Sequence, residues 1–330
     1  MKLAASSLIL IMLVCGAGWW YVDRWNNAAL EFDAASPHMV ILRPGESFMV
    51  FSRRLAESGV IEHPELWARL AQIRGLARLV KAGEYYVAPG DTPEILLQRL
   101  IAGDVVAYAV SLIEGWTAMQ AVAELAAHDK LVKELAGVTA ETLLGALGLP
   151  DGHGEGLFFP DTYRFVAGDS DADILRRAYA MMRTELEAMW QDREPGLPYQ
   201  TPYEALIVAS LIEKETGREA DRVHISQVFR ARLEQRMRLQ TDPSVIYGLG
   251  DSFDGNLTRR HLRDDTPYNT YVHRGLPPTP IALPGKQSLH AALHPAAGDF
   301  LYFVARGDGS SQFSRTLAEH QAAVRKYQLR

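Results

Sequence analysis

The segment from Thr201 to Gly217, TPYEALIVASLIEKETG, constrains the fold most, because it reads as one buried helix with a defined start and end. Thr201 is a candidate N-cap, Pro202 occupies the first helical position, and Glu204 completes the pattern of a capping box. Residues 205–212 carry no charge and a single polar side chain. A helix that is apolar nearly all round belongs inside the protein.

Glu213 follows directly, on the helical face of Leu206 and Ala209. Burial disfavours a charged carboxylate, and so does the negative end of the helix dipole close to a predicted stop at Gly217. Both effects favour the protonated acid, which is the form that a general acid needs. We therefore predict that Glu213 is catalytic. The alternative is a structural salt bridge with an arginine in residues 218–238.

The composition is that of an ordinary globular protein. The 330 residues are 48% hydrophobic and 22% charged, which allows a sizeable core and about two domains. The net charge of −6 gives no support for nucleic acid as a partner. The single cysteine, Cys15, excludes an intrachain disulfide and a metal site built from cysteines.

The N-terminus carries a run of 19 uncharged and largely apolar residues, Leu3–Tyr21, long enough for a transmembrane helix. Lys2 precedes the run, and aromatic side chains gather at its far end: Trp19, Trp20, Tyr21 and Trp25. We expect a cytoplasmic tip and transmembrane anchor over residues 1–25 and a linker over 26–37. A cleaved signal peptide is the alternative, with only a weak cleavage site at Ala17–Gly18.

Residues 38–108 have the pattern of a small α/β module. Two predicted helices follow a turn at Pro44–Gly45, and a short strand, AGEYYV, leads through Pro89–Gly90 into a third helix. This order resembles a LysM-like fold, a type of module that commonly binds N-acetylglucosamine polymers. The alternative is a spacer that positions the catalytic part.

Residues 109–330 are expected to form a larger, mixed α+β catalytic domain, which places the whole chain in the α+β class. The β-branched run Val105–Val110 predicts a strand leading into it. Apolar spacing predicts helices over Val132–Leu149, Asp171–Trp190 and Val223–Gln235.

Seven sequence blocks follow one another in this part of the chain: EGLFFPDTY, ASLIEKETG, RMRLQTDPSVIYGLG, TPYNTY, GLPPTPIALPG, LHPA and YFVARGDG. Together they resemble the YceG-like family of endolytic murein transglycosylases, and the resemblance covers essentially the whole chain. It implies a single-pass enzyme of the bacterial inner membrane with periplasmic domains. Such an enzyme cuts nascent peptidoglycan strands internally, leaves 1,6-anhydro-N-acetylmuramic acid ends and so terminates elongation. The resemblance places the catalytic glutamate at Glu213, implies cell-wall synthases as partners and requires no cofactor.

The chemistry of lytic cleavage needs a group that protonates the glycosidic oxygen and then removes the proton of the muramic acid C6 hydroxyl, which attacks C1. One carboxyl can do both in turn. Hydrolysis usually needs two carboxyls, about 5–5.5 Å apart for retention or 6.5–9.5 Å apart for inversion. A lone Glu213 therefore favours the lytic reaction. A muramidase, which is a hydrolase, and a non-catalytic glycan-binding scaffold remain the alternatives.

Candidate substrate-binding residues follow the helix. By the resemblance, Gln240 and Asp242 line the cleft, where they would contact sugar or orient Glu213. From the residues alone, the segment 241–243 is a helix cap with a first-turn proline. A second group mixes aromatic faces with short polar side chains, as sugar sites do: Tyr268, Asn269, Thr270 and Tyr271, with Tyr247 as a further candidate. The alternative for this group is an ordinary turn with core tyrosines.

The segment 275–285 contains four prolines and is predicted to be a stiff, non-helical wall of the cleft. Two of its residues depart from the family pattern. Thr279 stands where glycine is frequent, and Leu283 stands where asparagine is frequent. The departures put in doubt any backbone or amide contact carried over from those two positions.

Two further pairs of titratable residues are not assigned to the site. Glu215 points about 200° around the helix from Glu213 and is predicted, like Glu219, to lie on the surface or in an ion pair. His290 and His294 have the spacing of two metal ligands on one helix face, but no third ligand is evident. We therefore predict no metal site.

Overall fold

The computed structural model describes residues 2–30 and 38–328, with side chains described from Leu10 onwards. Residues 31–37 of the expected linker lie outside the described residues. Helices and short paired strands are both present, so the fold is mixed α+β, as expected.

The chain divides into two compact units. The smaller unit contains the residues up to Tyr108 together with Arg164–Gly168, and the larger unit contains Ala109–Tyr163 with Asp169–Arg330. The identification of the smaller unit as a LysM-like module stays a prediction.

The N-terminal helix α1 runs from Lys2 to Asn26 and is the element in which the sequence predicts a membrane anchor. Its last turns carry the charged side chains of Asp23 and Arg24. The Asn26 amide donates a hydrogen bond of 2.8 Å to Oε2 of Glu94. Among the described residues, no helix combines the length and the apolar character that a membrane crossing needs. The predicted transmembrane anchor is therefore wrong, and so is the single-pass inner-membrane localisation that rested on it.

The remainder of the smaller unit is a two-stranded sheet with three helices. Its elements are β1 (His38–Leu42), α2 (Phe48–Glu57), α3 (Pro64–Ile73), β2 (Gly83–Val87) and α4 (Pro93–Ala102). The strands pair antiparallel, with His38 opposite Val87. Large side chains that are fully buried, among them Phe51, Trp67 and Tyr85, form the core of this unit.

The remaining elements begin with the strand in which the chain passes from the smaller to the larger unit. They are β3 (Ala107–Ser111), α5 (Ala118–Ala127), α6 (Leu143–Ala146), β4 (Thr162–Val166), α7 (Asp171–Gln191), α8 (Pro202–Glu215), α9 (Glu219–Glu234), α10 (Asp242–Leu249), α11 (Lys286–Leu293), β5 (Tyr302–Ala305), β6 (Ser311–Ser314) and α12 (Leu317–Tyr327). Strand β3 pairs with β4, and β5 pairs with β6.

The long helix predicted over Val132–Leu149 is wrong, because only the single turn of α6 is helical there. Gly137 adopts a left-handed backbone with φ 76°, and Gly145 and Gly148 lower helix propensity further.

Helix α8 is the centre of the larger unit. The predicted capping box is present: the hydroxyl of Thr201 accepts from the Glu204 N–H, and the Glu204 carboxylate accepts from the Thr201 N–H, each across 3.2 Å. Every residue from Ala205 to Ile212 is buried, and α7, α9, α10 and α11 all pack against the helix. The predicted buried helix is confirmed.

The one polar side chain in the body of α8 connects it to the proline-rich segment. The Ser210 hydroxyl donates to the carbonyl of Ile207 at 2.7 Å and accepts from the backbone N–H of Ile281 at 3.0 Å. The proline-rich chain therefore has a fixed position along the helix that carries Glu213.

Candidate active site

The last turn of α8 presents Glu213 at the edge of the core. Its side chain is only 7% exposed, and the helix ends two residues later at Glu215. Thr216 then takes an extended conformation, with φ −151° and ψ 136°. Gly217 does not adopt the left-handed conformation of a glycine stop, so that detail of the prediction is wrong.

Two groups hold the Glu213 carboxylate. Its Oε2 accepts a hydrogen bond of 3.0 Å from the backbone N–H of Gly285, and its Oε1 lies 3.6 Å from Nη2 of Arg222. The Arg222 guanidinium is equally buried and donates to Ser288 (3.1 Å) and Gln287 (2.8 Å). The arginine considered from the sequence is therefore present, as Arg222.

A second carboxyl, missed in the sequence, lies beside Glu213. Glu114 follows strand β3, and a Cβ added to Gly285 would collide with its Oε1. Glu114 as a residue is exposed, although its carboxyl oxygen contacts the Gly285 backbone. Partial burial and the neighbouring charge of Glu213 raise the pKa of Glu114, and Arg222 acts in the opposite direction. The premise that Glu213 is the lone acid of the site is wrong.

The loop that carries Glu114 is fixed to α8 and to the proline-rich segment. Nζ of Lys214 donates to the carbonyl of Gly115 at 3.0 Å. The N–H of Gly115 donates to the carbonyl of Leu283 (2.8 Å), and the N–H of Leu283 donates to the carbonyl of Trp116 (2.7 Å). These contacts use the backbone of Leu283, so the departure from asparagine leaves them in place.

A third carboxyl, Glu155, is almost completely buried beside the residues that follow the same loop. It accepts hydrogen bonds from the N–H of Ala118 at the start of α5 (2.9 Å), the N–H of Gly156 (3.2 Å) and the hydroxyl of Tyr247 (3.1 Å). Burial raises the pKa of Glu155 to about 7, although the three hydrogen bonds act to lower it. Glu155 opens the EGLFFPDTY block, and that position was the only available signal for it.

Two predicted sugar-binding tyrosines lie together next to Glu155. The rings of Tyr247 and Tyr268 meet edge to face, with centroids 4.9 Å apart. The hydroxyl of Tyr268 is 2.8 Å from that of Thr279, the residue that replaces a frequent glycine. Both tyrosines are half-buried, so each leaves part of its surface open.

Three other predicted residues lie around Glu215. The Tyr271 hydroxyl donates to Oδ1 of Asp242 at 2.6 Å, and the side-chain oxygen of Gln240 accepts from Arg232 at 3.5 Å. Burial raises the pKa of Glu215 to about 7; a hydrogen bond with Thr241 acts to lower this pKa, and the smaller effect of the Asp242 charge acts to raise it. Glu215 is half-buried, so the expected surface position is wrong, while the alternative of an ion pair stays a prediction, with Arg232 as the nearby cation. It points away from Glu213 around the helix, so this group faces another side of α8.

The last two candidates, Asn269 and Thr270, stabilise a loop. Asn269 is fully buried, and its amide donates to the carbonyls of His261 (3.0 Å) and Asp264 (2.7 Å). The Thr270 hydroxyl accepts from the N–H of Thr241 at 3.0 Å. Because these polar atoms are engaged inside the protein, they are poorly placed to bind sugar.

A cavity of about 560 Å³ lies at the opposite end of α8 from Glu213. Its lining includes the start of the helix and the proline-rich segment: Tyr199, Thr201, Tyr203, Glu204, Leu276, Pro277 and Pro278. Pro202 and Glu213 are separated by roughly 16 Å of helix axis, so this cavity does not contain the candidate acid.

The two histidines with metal-ligand spacing stack on each other. The ring centroids of His290 and His294 are 4.4 Å apart, and Nε2 of His294 lies 2.9 Å from the carbonyl of Asp192. Within the part of the chain that the structure describes, no group of three or more His, Cys, Asp and Glu is arranged to hold a metal ion.

Known proteins resemble the chain over most of its length. A family model described as "YceG-like family" matches residues 40–326. A Bacillus subtilis protein named endolytic murein transglycosylase is 32% identical, over 90% of this chain and 87% of the relative. A Streptococcus pneumoniae protein of the same name is 26% identical, and the match covers 98% of this chain but 64% of that longer protein. The crystal structure of a yceG-like protein from Listeria monocytogenes has a TM-score of 0.54 and 29% identity, over 87% of this chain and 98% of that one.

Proposed function

The chain belongs to the YceG-like family, and we propose that it is an endolytic murein transglycosylase that cuts peptidoglycan glycan strands without water. The observation that carries the proposal is the position of Glu213. It is a nearly buried carboxyl at the end of a buried helix, fixed by Arg222 and by the N–H of Gly285. The names of the Bacillus and Streptococcus relatives support the same activity.

In the reaction that we propose, the enzyme gives one proton to the substrate and takes another proton from it. A carboxylic acid at the site protonates the glycosidic oxygen as its bond to C1 of N-acetylmuramic acid breaks. The C6 hydroxyl oxygen of the same sugar bonds to C1, and a carboxylate takes its proton. The product is a 1,6-anhydro sugar, and no water is consumed. Glu213 serves as acid and then as base in the simplest form of this mechanism.

The surroundings of Glu213 suit the base step. Arg222 and the Gly285 N–H fix both carboxylate oxygens in place, and the low exposure keeps competing water out. The same contacts hold the carboxylate that remains after a proton has been given away.

The substrate contacts remain proposals. Tyr247 and Tyr268 offer aromatic faces for a pyranose ring. Gln240, Asp242 and Tyr271 would serve a more distant sugar, because they lie around Glu215. Glycan binding by the smaller unit and association with glycan-polymerising synthases rest on resemblance alone.

A second candidate function is hydrolysis of the same glycosidic bond. The specific observation in its favour is that Glu114 lies beside Glu213, since most glycosidases use two neighbouring carboxyls for catalysis. A glycan-binding scaffold without activity is the third alternative and predicts no product at any enzyme concentration.

The test uses Glu213→Gln with Glu219→Gln as its matched control, since Glu219 is an exposed carboxyl at the start of α9. We expect E213Q to lose about 10²–10⁴-fold of the rate of glycan cleavage, and E219Q to retain the wild-type rate. Thermal unfolding shows whether both variants fold. Unchanged release of fragments by folded E213Q would refute the proposed role.

A further inference from the structure

We propose that Glu114 is a second catalytic carboxyl, which donates the proton to the glycosidic oxygen while Glu213 acts as the base. This inference rests on the proposed function and divides its two proton transfers between two residues. Neither the family resemblance nor the relatives' names assign a role to Glu114.

Glu114 and Glu213 both lie against Gly285. The Glu114 carboxyl contacts the backbone of Gly285, and the N–H of Gly285 is bonded to Glu213. One glycine therefore separates the two acids, and a larger residue there would strike Glu114. The backbone contacts of Gly115 and Trp116 with Lys214 and Leu283 keep the loop in register with α8.

The two carboxyls differ in their accessibility to a polymer substrate. Glu213 is only 7% exposed along its side chain, whereas Glu114 is an exposed residue. A glycosidic oxygen belongs to a bulky polymer, which reaches an exposed carboxyl more easily than a buried one. The C6 hydroxyl is a small group, and a proton acceptor with low exposure can serve it more easily than it can serve a polymer.

The two carboxyls also differ in their polar and charged neighbours. Glu213 contacts the Arg222 guanidinium and accepts a hydrogen bond from the Gly285 N–H. Glu114 has no hydrogen bond or ion pair within the described residues, and partial burial followed by the charge of Glu213 raises its pKa, with Arg222 acting in the opposite direction. A neighbouring carboxyl whose pKa is raised is suited to donate a proton.

The proposed step balances. The Glu114 proton passes to the glycosidic oxygen as the C1–O bond breaks. The C6 oxygen bonds to C1, and its proton passes to the Glu213 carboxylate. Glu114 is then ionised and Glu213 protonated, so transfer of one proton from Glu213 back to Glu114 restores the starting state. No oxidant, metal or water is needed.

The test compares two substrates that differ in their need for an acid. One is the native glycan strand, and the other is a synthetic murein oligosaccharide whose leaving group is 4-nitrophenolate, which departs without protonation. Glu114→Gln should lose about 10²–10⁴-fold on native glycan and less than about tenfold on the activated substrate. Glu213→Gln should lose heavily on both, because the base is needed in each case.

The wild-type protein tests the proposed function separately. If it gives anhydro ends and folded E114Q cleaves native glycan at the wild-type rate, the role of Glu114 is refuted and the proposed function stands. An equal loss of E114Q activity on both substrates also refutes the acid role, because it indicates a structural effect. If the wild-type protein gives no product, the proposed function itself fails. Circular dichroism and thermal unfolding confirm that each variant is folded.

Discussion

The Gly285 N–H donates a hydrogen bond of 3.0 Å to Oε2 of Glu213, and this contact joins the end of α8 to the residue that precedes α11. Gly285 has an ordinary backbone conformation, with φ −78° and ψ 173°. A Cβ at this position would meet the Glu114 carboxyl, so any larger residue would displace that side chain. Gly285 therefore fixes the Glu213 carboxylate through its N–H and, lacking a side chain, leaves room for the Glu114 carboxyl.

Gly285→Ala should reduce kcat for glycan cleavage at least about tenfold, because displacing Glu114 by even a fraction of an ångström disturbs the two acids. The matched control is Gly217→Ala, where an added Cβ has nothing within 4 Å and φ is not left-handed. Steady-state kinetics on purified glycan strands measure the effect. Equal rates for the two variants would show that displacing Glu114 from Gly285 does not affect cleavage.

Arg222→Met should destabilise the larger unit by about 3–5 kcal/mol, because it leaves the Glu213 carboxylate buried without its cation. Arg230→Met is the control. Arg230 pairs with Glu234 at 2.8 Å and lies 3.9 Å from Glu194, and all three side chains are partly exposed, so these contacts are expected to contribute about 1 kcal/mol or less. Urea unfolding at neutral pH compares the two. A cost below about 1 kcal/mol for R222M would show that the pair does not stabilise the fold.

Glu155 predicts a dependence of stability on pH. Its pKa in the folded protein is raised to about 7 from an ordinary 4.5, so the folded state binds the proton more tightly than the unfolded chain. Stability is then full below about pH 4.5 and falls as pH rises to about 7, by roughly 3 kcal/mol for a shift of that size. In Glu155→Gln the side chain stays neutral at every pH, so the variant should not show this loss of stability between about pH 4.5 and 7.

Urea titrations of the wild-type protein and E155Q at intervals from pH 4.5 to 8 measure the difference. Glutamine can still accept from Ala118 and contact the Tyr247 hydroxyl, so the variant keeps the geometry. If the two proteins lose stability in parallel over this range, Glu155 is ionised in both states and the prediction is wrong.

Asp242→Asn should slow cleavage by less than about tenfold and should leave the chemical nature of the product unchanged. The reason is position, since Asp242 accepts from Tyr271 and acts electrostatically on Glu215 rather than on Glu213. Product analysis beside the kinetics tests this. A switch from anhydro to reducing ends, or the reverse, would place Asp242 in the reacting centre.

The sequence predicted correctly those features of α8 that depend on interactions between residues close together in the chain. The capping box of Thr201 and Glu204, and the apolar body that follows, depend on neighbours along the chain and were predicted correctly. Glu114 was missed because it reaches Glu213 only through contacts between residues about a hundred positions apart. The residues next to Glu114 in the sequence give no indication that it belongs to the site.

Failures elsewhere have the same origin. Glu215 was expected at the surface or in an ion pair because helix angle places it away from Glu213, but Asp242, at the start of α10, lies on that side. The hydroxyl of Thr270 and the amide of Asn269 suggested sugar contacts, yet Thr270 bonds to the backbone of Thr241 and Asn269 to the backbone of its own loop. Residue type alone does not separate a polar group that faces substrate from one that closes a turn.

The central claim is cleavage without water, and digestion of purified glycan strands in H₂¹⁸O tests it most directly. Mass spectrometry of the fragments gives the mass of each newly formed glycan end. We predict ends that are one water lighter than reducing ends and carry no ¹⁸O, with Glu213→Gln giving neither product. New reducing ends that each carry one ¹⁸O atom would contradict the account and identify the protein as a hydrolase.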